Sequence, residues 1–204
     1  MPSRDELREN TRRCVLESAE RLFRERGFKA AAIRDIADDA GVSVGSVMSV
    51  GDKRELLVEI FDKSIAKIHQ QRSEERAAYD ESRADAPDSQ NPADRLMAVI
   101  APFLGIFAES PDLAREYGAI LMSGSHQSQL YQDLAVALLG EISATLTDIG
   151  MSPEHVPVAA KTIYFSYLGG IYAFAGSGQS DFVEPLRELY SIFTFITETG
   201  GRQK

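Results

Sequence analysis

The sequence predicts an all-α protein in which an N-terminal three-helix domain, containing a helix-turn-helix, precedes a larger helical domain. Apolar residues recur at three- and four-residue intervals along most of the 204 residues, and no segment shows the strict alternation of a strand. Glycine and proline stand between these apolar segments, where they end one helix and begin the next. We place the domain boundary at residue 53, which gives domains 1–53 and 54–204.

The most informative segment is residues 31–53, which has the pattern of two short helices joined by a glycine turn. Ile36 and Ala37 lie on one face of the first short helix, and Gly41 can adopt the positive φ that ends it. Ser43 is suited to cap the following helix. Because Ala37 is small, the two helices can cross closely and the second can enter a DNA major groove. The pattern therefore predicts a DNA-binding helix-turn-helix.

Residues on both sides of this motif extend it into the pattern of a known family. The matching positions keep the family's order of apolar, small and basic residues, and they are Arg13, Val15, Leu16, Ser18, Ala19, Leu22, Phe23, Gly27, Phe28, Ile36, Ala37, Gly41, Val42, Ser43, Gly45, Lys53 and Leu56. Over roughly its first 60 residues the chain resembles the tetracycline-repressor (TetR) family of bacterial transcription regulators. The resemblance implies an all-helical homodimer that binds a palindromic operator, most often as a repressor, and whose second domain binds a small-molecule effector.

Departures from the family pattern fall on positions that contact DNA. Ala31 and Ala32 stand where the family has threonines, so a capping and phosphate-contacting hydroxyl is missing. Met48 and Val50 lie where the family carries a tyrosine and further aromatic residues, and one residue is absent before Lys53. These changes leave two functions open. We favour a ligand-responsive transcriptional regulator, because the scaffold of the motif is intact, and the alternative is a helical small-molecule-binding or interaction protein with a weakened DNA-reading head.

Turn chemistry accommodates the missing residue. Gly51 is expected to end the third helix as a left-handed cap, while Asp52 and Glu55 have the spacing of a capping box for the fourth helix. That fourth helix continues through an amphipathic pattern to Ile68 and is expected to link the two domains.

Seven residues form the predicted DNA-binding set. Helical spacing turns Val47 inward and exposes its neighbours, so that Gly45 allows close approach, Ser46 and Ser49 touch base edges or phosphates, and Lys53 binds phosphate. The full set is Arg34, Ser43, Val44, Gly45, Ser46, Ser49 and Lys53.

The net charge of −9 is carried by the second domain. Residues 1–53 hold ten basic and ten acidic side chains, whereas residues 54–204 hold 12 basic and 21 acidic ones. A neutral first domain can approach DNA while the acidic second domain is repelled from it. The same acidity favours a neutral or cationic effector over an anionic one.

The second domain is predicted to contain helices near residues 96–107, after Pro111, and over 128–149, 158–176 and 182–196. Its aromatic and methionine side chains suit a mostly apolar effector, although such residues are also ordinary core residues. The predicted lining residues are Met97, Phe103, Phe107, Tyr117, Met122, Tyr131, Tyr164, Tyr167 and Phe174.

The last two predicted helices are expected to form the homodimer interface. Residues 158–176 are apolar around nearly the whole helix and must be buried by a neighbour, which can be a partner subunit or the chain's own core. Gly169 and Gly170 indicate a close helix approach, since each costs about 1 kcal/mol relative to alanine. We assign Gly169, Gly170 and Phe193 to the interface.

Other classes of protein receive little support from the sequence. The three histidines are far apart, and no nucleophile elbow, phosphate loop or dinucleotide motif is present, so we expect no enzyme, metal or cofactor. The single cysteine, Cys14, cannot form an internal disulfide. Without a long apolar run or an apolar leader, we expect a cytoplasmic protein with no membrane partner.

Overall fold

The computed structural model describes residues 3–82, 91–124, 129–177 and 183–200, apart from the side chains of residues 76–82, 129 and 131. These ranges contain helices and no strand, which confirms the all-α fold class. The helices are α1 (Arg4–Arg26), α2 (Ile33–Ala40), α3 (Val44–Val50), α4 (Lys53–Ser82), α5 (Pro92–Glu109), α6 (Pro111–Met122), α7 (Gln129–Asp148), α8 (Val156–Ser177) and α9 (Val183–Gly200).

The chain forms two compact units, and the first contains the helix-turn-helix. This unit comprises Met1–Ser64 and Ser110–Gln127. It therefore contains helices α1, α2 and α3, the beginning of α4, and α6. Helices α1, α2 and α3 pack on one another around a core that includes Phe23, Ile36 and Val47. All three side chains are buried, which fixes the two helices of the motif against α1.

Local hydrogen bonds fix the ends of the helices in this motif. Gly41 has φ 67° and ψ 31°, the left-handed conformation that ends α2, and its amide donates to the carbonyl of Ala37. The Ser43 hydroxyl accepts from the amide of Ser46 at 3.0 Å and caps α3. Both predictions for the turn are therefore confirmed.

Between α3 and α4 the structure confirms one prediction and corrects another. The amide of Asp52 donates to the Glu55 carboxylate at 2.7 Å, and the amide of Glu55 donates to the Asp52 carboxylate at 2.9 Å, so the capping box is present. Gly51 is not a left-handed cap, because its φ of 168° is extended backbone that any residue adopts. A side chain there is disfavoured for a different reason: a Cβ atom would lie 3.0 Å from the Glu55 Cβ.

Helix α6 is held in the first unit by aromatic and polar contacts. The Tyr117 ring stacks on Phe61 of α4 with 4.5 Å between the ring centroids. Its hydroxyl donates to the buried carboxylate of Asp62 at 3.2 Å. Glu116 of α6 forms an ion pair, at 3.2 Å, with Lys29, which lies in the segment between α1 and α2.

The second unit comprises Ile65–Glu109 and Ser128–Lys204 and contains the rest of α4 together with α5, α7, α8 and α9. Helix α8 packs against both α7 and α9, and α5 packs against α9. The fully buried side chains Phe103, Ile142, Ile163 and Phe174 belong to this core.

Two of the residues assigned to the dimer interface pack against the core of their own chain. Phe193 has no exposed surface, so it has no area to offer a partner subunit. A Cβ atom on Gly170 would lie 3.5 Å from Leu189 Cδ1, so this glycine faces α9 of its own chain. Apolar helical spacing alone does not distinguish packing within a chain from packing between chains.

No described helix is by itself long and apolar enough to cross a membrane, and α5 and α6 pass that test only as a pair bent by 105°.

Candidate DNA-binding and effector sites

Helix α3 exposes a largely apolar, uncharged surface. Val44 and Met48 are 42% and 50% exposed, Gly45 and Ser49 are exposed, and Val47 is buried as predicted. None of the seven residues of the helix is charged. The surface that faces away from α1 and α2 is therefore suited to close contact with a polyanion, because it adds no repulsive charge.

The serines of α3 are engaged in hydrogen bonds within the protein. The hydroxyl oxygens of Ser43 and Ser46 lie 2.9 Å apart and share one hydroxyl hydrogen. Ser49 donates its hydroxyl to the Ser46 carbonyl at 2.7 Å. These bonds reduce the number of donors that the helix can offer to base edges.

At the beginning of α2, the missing threonine hydroxyls leave few side-chain donors. Ala31 is buried, and Ala32 provides no side-chain cap, although its amide donates to Asp35 at 3.2 Å. Arg34 is exposed and makes no hydrogen bond or ion pair with the part of the chain that the structure describes. Its guanidinium can therefore meet a phosphate without first breaking an internal contact.

Lys53 is more constrained than the sequence indicates. It is the first residue of α4, as predicted, but its Nζ donates to the Lys29 carbonyl at 3.2 Å and lies 4.6 Å from the centre of the Phe28 ring. Partial burial lowers the pKa of Lys53, whereas the nearby Glu116 carboxylate opposes that change. The Asp52 carboxylate already accepts from the amides of Arg54 and Glu55, so those helix-terminal donors are occupied.

In the second unit, the structure brings together a polar cluster that the sequence did not indicate. His69 Nδ1 lies 2.9 Å from Glu141 Oε1, and Arg72 Nε donates to Glu141 Oε2 at 2.7 Å. Arg72 also donates to the Ala98 carbonyl at 2.8 Å, and the His69 ring lies 4.7 Å from the Phe103 ring, centre to centre. The only local signal is the three-residue spacing of His69 and Arg72 on α4, because Glu141 is distant in sequence.

Burial of Glu141 raises the pKa of its carboxyl group. The hydrogen bonds and the charges of His69 and Arg72 lower that pKa by more, so it lies below its usual value. The cluster therefore holds an ionised carboxylate between α4 and α7.

The predicted effector-lining residues fall into different environments. Phe103, Phe107, Tyr164, Tyr167 and Phe174 are buried in the second unit, and the ring centroids of Tyr164 and Tyr167 lie 6.3 Å apart.

The other predicted lining residues lie outside this buried aromatic group or outside the described side chains. Met97 is half-buried in the second unit, whereas Tyr117 belongs to the first unit, where Asp62 accepts from its hydroxyl. Met122 is 73% exposed, which gives it no buried surface of the kind a cavity wall needs. The side chain of Tyr131 lies outside the described residues.

Helices α8 and α9 carry an exposed apolar face. On α8 it contains Val158, Phe165 and Tyr172, and on α9 it contains Ile192 and Phe195. The α8 residues follow each other at seven-residue intervals and so lie on one side of the helix.

Gly169 lies on the same side of α8, is exposed, and has no atom within 4 Å of where its Cβ would be. It therefore leaves room for another helix to approach. Among the described residues, no three histidine, cysteine or acidic side chains are placed to hold a metal ion.

Comparison with known proteins agrees with this arrangement of helices. Residues 15–60 match the family described as "Bacterial regulatory proteins, tetR family". No curated protein sequence matches the chain.

Three solved structures illustrate the likeness of fold. A putative TetR-family transcriptional regulator from Mesorhizobium loti is 16% identical, with a TM-score of 0.64 over 98% of this chain and 100% of its own. FadR from Thermus thermophilus, a TetR-family repressor in complex with lauroyl-CoA, is 18% identical, with a TM-score of 0.62 over 89% and 92%. FadR from Bacillus subtilis, in complex with stearoyl-CoA, is 16% identical, with a TM-score of 0.57 over 89% and 97%.

At these identities the solved structures establish the fold, and the match at residues 15–60 identifies the N-terminal domain. The N-terminal domain therefore belongs to the TetR family of bacterial regulatory proteins, and the chain shares the fold of these solved structures.

Proposed function

We propose that this protein is a ligand-responsive transcriptional regulator that binds a palindromic operator as a homodimer and is released from it by a small-molecule effector. The observation that carries the proposal is α3, a capped helix that is fixed against α1 and α2 and whose exposed surface carries no charge. In the TetR family this is the helix that enters the major groove.

Phosphate binding in this proposal depends mainly on Arg34. Its exposed guanidinium lies on α2, the helix that crosses the DNA backbone in a helix-turn-helix complex. Lys53 is a second contact, because an ammonium group has three donors and the Lys29 carbonyl uses one. The predicted roles of Ser46 and Ser49 are limited to contacts that leave their internal hydrogen bonds in place.

Selection of genomic fragments on the purified full chain tests DNA binding. The recovered duplexes should share a palindromic sequence, and log affinity should fall linearly with log salt concentration. Replacing Arg34 with alanine should weaken binding to every sequence and reduce the salt slope by about one unit. Lys67→Ala removes the same charge from α4 in the second unit and serves as the control, with no change expected in the slope.

The competing function is a helical ligand-binding or interaction protein with a weakened reading head. The burial of Ala31 and the internal hydrogen bonds of Lys53 and Ser49 favour it, because each reduces contact with DNA. If the selection recovers no sequence above the random background, this second function replaces the first.

The exposed face of α8 and α9 supports dimerisation. Val158, Phe165 and Phe195 are each more than half exposed, and side chains of this size gain about 1.5–3 kcal/mol each when they are fully buried. A second copy covering the same face would also give the two-fold symmetry that a palindrome requires.

Sedimentation tests this face with matched substitutions. Phe165→Glu should convert the dimer to a folded monomer, because a carboxylate would be buried without a partner at the interface. Leu7→Glu places the same charge at an exposed apolar position of α1 and should leave the dimer intact. A native chain that sediments as a monomer at micromolar concentration would exclude the proposed interface.

The effector is proposed to be mostly apolar and to bind among the buried aromatic side chains of the second unit. The two FadR structures were solved with acyl-CoA molecules, so a long acyl chain is a reasonable probe of this class. The acidity of residues 54–204 opposes the phosphates of coenzyme A and favours an uncharged acyl compound.

Displacement of a selected duplex separates these effectors. Methyl laurate and lauroyl-CoA should both release the DNA, with methyl laurate acting at the lower concentration, whereas coenzyme A alone should not. If neither acyl compound changes DNA affinity, an acyl effector is excluded.

A further inference from the structure

The exposed surface of α3 has a chemistry that specifies which base feature it can recognise. The seven residues of the helix include no arginine, lysine, asparagine, glutamine or acidic residue, so the side chains that form paired hydrogen bonds with base edges are absent. Its two serines are already engaged, Ser49 with a backbone carbonyl and Ser46 with Ser43. Direct recognition by hydrogen bonds from this helix is therefore weak.

What the helix does expose is apolar. Val44 is 42% exposed and Met48 is 50% exposed, and their four-residue separation places them next to each other on one side of the helix. The inward face is occupied by Val47, which is fully buried, so the outward position of the pair is fixed by the core. The intervening Gly45 adds no side chain, which leaves both apolar groups accessible.

In the major groove, one base presents an apolar group. Thymine carries a methyl group at C5, and contact with this methyl by an apolar side chain is an established means of distinguishing a T·A pair from the others. Guanine and cytosine carry no methyl group there, and burying the guanine acceptors or the cytosine amino group against valine or methionine without a partner is unfavourable.

From this surface we propose that Val44 and Met48 recognise thymine C5-methyl groups, so that each operator half-site carries thymine where these side chains reach the groove. The proposal rests on the proposed DNA-binding function and adds its sequence specificity. Val44 lies in the first turn of α3 and Met48 one turn later, so the two side chains contact neighbouring base pairs rather than the same one. Met48 has flexible single bonds, so it adjusts to the exact position of the methyl group.

Deoxyuridine provides a direct test, because it lacks only the C5-methyl group and keeps the hydrogen-bonding groups of thymine. The probe is a duplex recovered from random-sequence DNA by the full-length protein, with each thymine replaced in turn by deoxyuridine. At the contacted positions, the loss of one buried methyl group should weaken binding about four-fold, the equivalent of ~0.8 kcal/mol. Thymines elsewhere in the duplex should show no effect.

Variants then connect each thymine to a side chain. In Met48→Ala, the deoxyuridine substitution at one position should lose its effect, while Val44→Ala should abolish the effect at another. Lys67→Ala lies on α4 in the second unit and is the control, in which both effects should remain. These substitutions are at exposed positions, so a thermal melt confirms that each variant is folded.

The outcomes separate this inference from the function on which it rests. If a selected duplex binds with the expected salt dependence but no deoxyuridine substitution matters, methyl recognition is wrong and DNA binding stands. If Val44→Ala and Met48→Ala leave DNA affinity unchanged, the exposed pair contacts something other than DNA and the inference is also wrong. Failure to recover any duplex would overturn both proposals together.

Discussion

Replacing Gly45 with alanine should stabilise the protein while weakening its binding to DNA. Gly45 is exposed in α3, and a Cβ atom there would lie 3.6 Å from the Ser43 hydroxyl oxygen, an ordinary van der Waals distance. The folded chain therefore accepts a methyl group at this position without rearrangement. Any loss of function must arise from the partner and not from the fold.

The substitution should raise the free energy of unfolding and weaken DNA binding, and the size of each effect can be estimated separately. Glycine in a helix interior costs about 0.8–1.0 kcal/mol relative to alanine, and this position is close to a helix end, so a gain of roughly 0.5–1 kcal/mol is expected. For a chain of this size, that gain corresponds to a rise of about 1–4 °C in the melting temperature. Forcing an additional methyl group into a closely packed contact costs about 1–3 kcal/mol, so Kd should increase about 5- to 150-fold.

A thermal melt and fluorescence anisotropy with a selected duplex measure the two effects on the same preparation. Gly105→Ala is the matched control, because Gly105 is an exposed glycine inside α5 with no atom within 4 Å of its Cβ position. The control should also raise the melting temperature but leave Kd unchanged. If Gly45→Ala binds DNA as tightly as the native chain, no close approach occurs at α3 and the reasoning is refuted.

Three further predictions concern stability. Tyr117→Phe removes the hydroxyl that donates to Asp62, so the free energy of unfolding in urea should fall by about 1 kcal/mol; an unchanged value would show that this bond is not needed. The pKa of Glu141 is below its ordinary value of 4.5 in the folded chain, so its contribution to stability is present above pH 4.5 and is lost as the pH falls below that value; Glu141→Gln should therefore lose stability at neutral pH and show a smaller further loss on acidification. Phe193→Ala should lower the free energy of unfolding by about 3–5 kcal/mol, while the folded variant should remain as dimeric as the native chain. A folded variant that sediments as a monomer would show that Phe193 belongs to the dimer interface after all.

Local interactions explain what could be predicted from the sequence. The Gly41 turn, the Ser43 cap and the box formed by Asp52 and Glu55 each depend on residues within four positions of one another. Their geometry follows from backbone conformation and side-chain reach, so sequence spacing is sufficient to identify them. The same applies to the buried position of Val47 on α3.

Long-range packing explains what could not be predicted. Tyr117 was grouped with the effector-lining residues because it is aromatic and carries a hydroxyl. Its actual partner, Asp62, lies on a different helix and is distant in sequence, so spacing does not reveal it. The spacing of apolar residues on α9 likewise did not show that Phe193 is a core residue and Phe195 a surface residue.

The charged contacts illustrate the same limit. A lysine at the beginning of α4 has the sequence position of a phosphate ligand, yet the Lys29 carbonyl and the Phe28 ring already contact Lys53 in the folded chain. These partners lie 24 and 25 positions earlier, so only the tertiary structure brings them together. The exposed Arg34 has no such contact with any described residue and is consequently the stronger candidate for binding phosphate.

The most direct test of the central claim is the affinity of the full chain for a selected palindromic duplex, measured across a range of salt concentrations and compared with a scrambled duplex of the same composition. We expect two chains per duplex, an affinity at least about 10³-fold tighter than for the scrambled sequence, and a linear decrease of log affinity with log salt concentration. Equal affinity for the two duplexes, or an affinity independent of salt, would contradict the assignment of this protein as an operator-binding regulator.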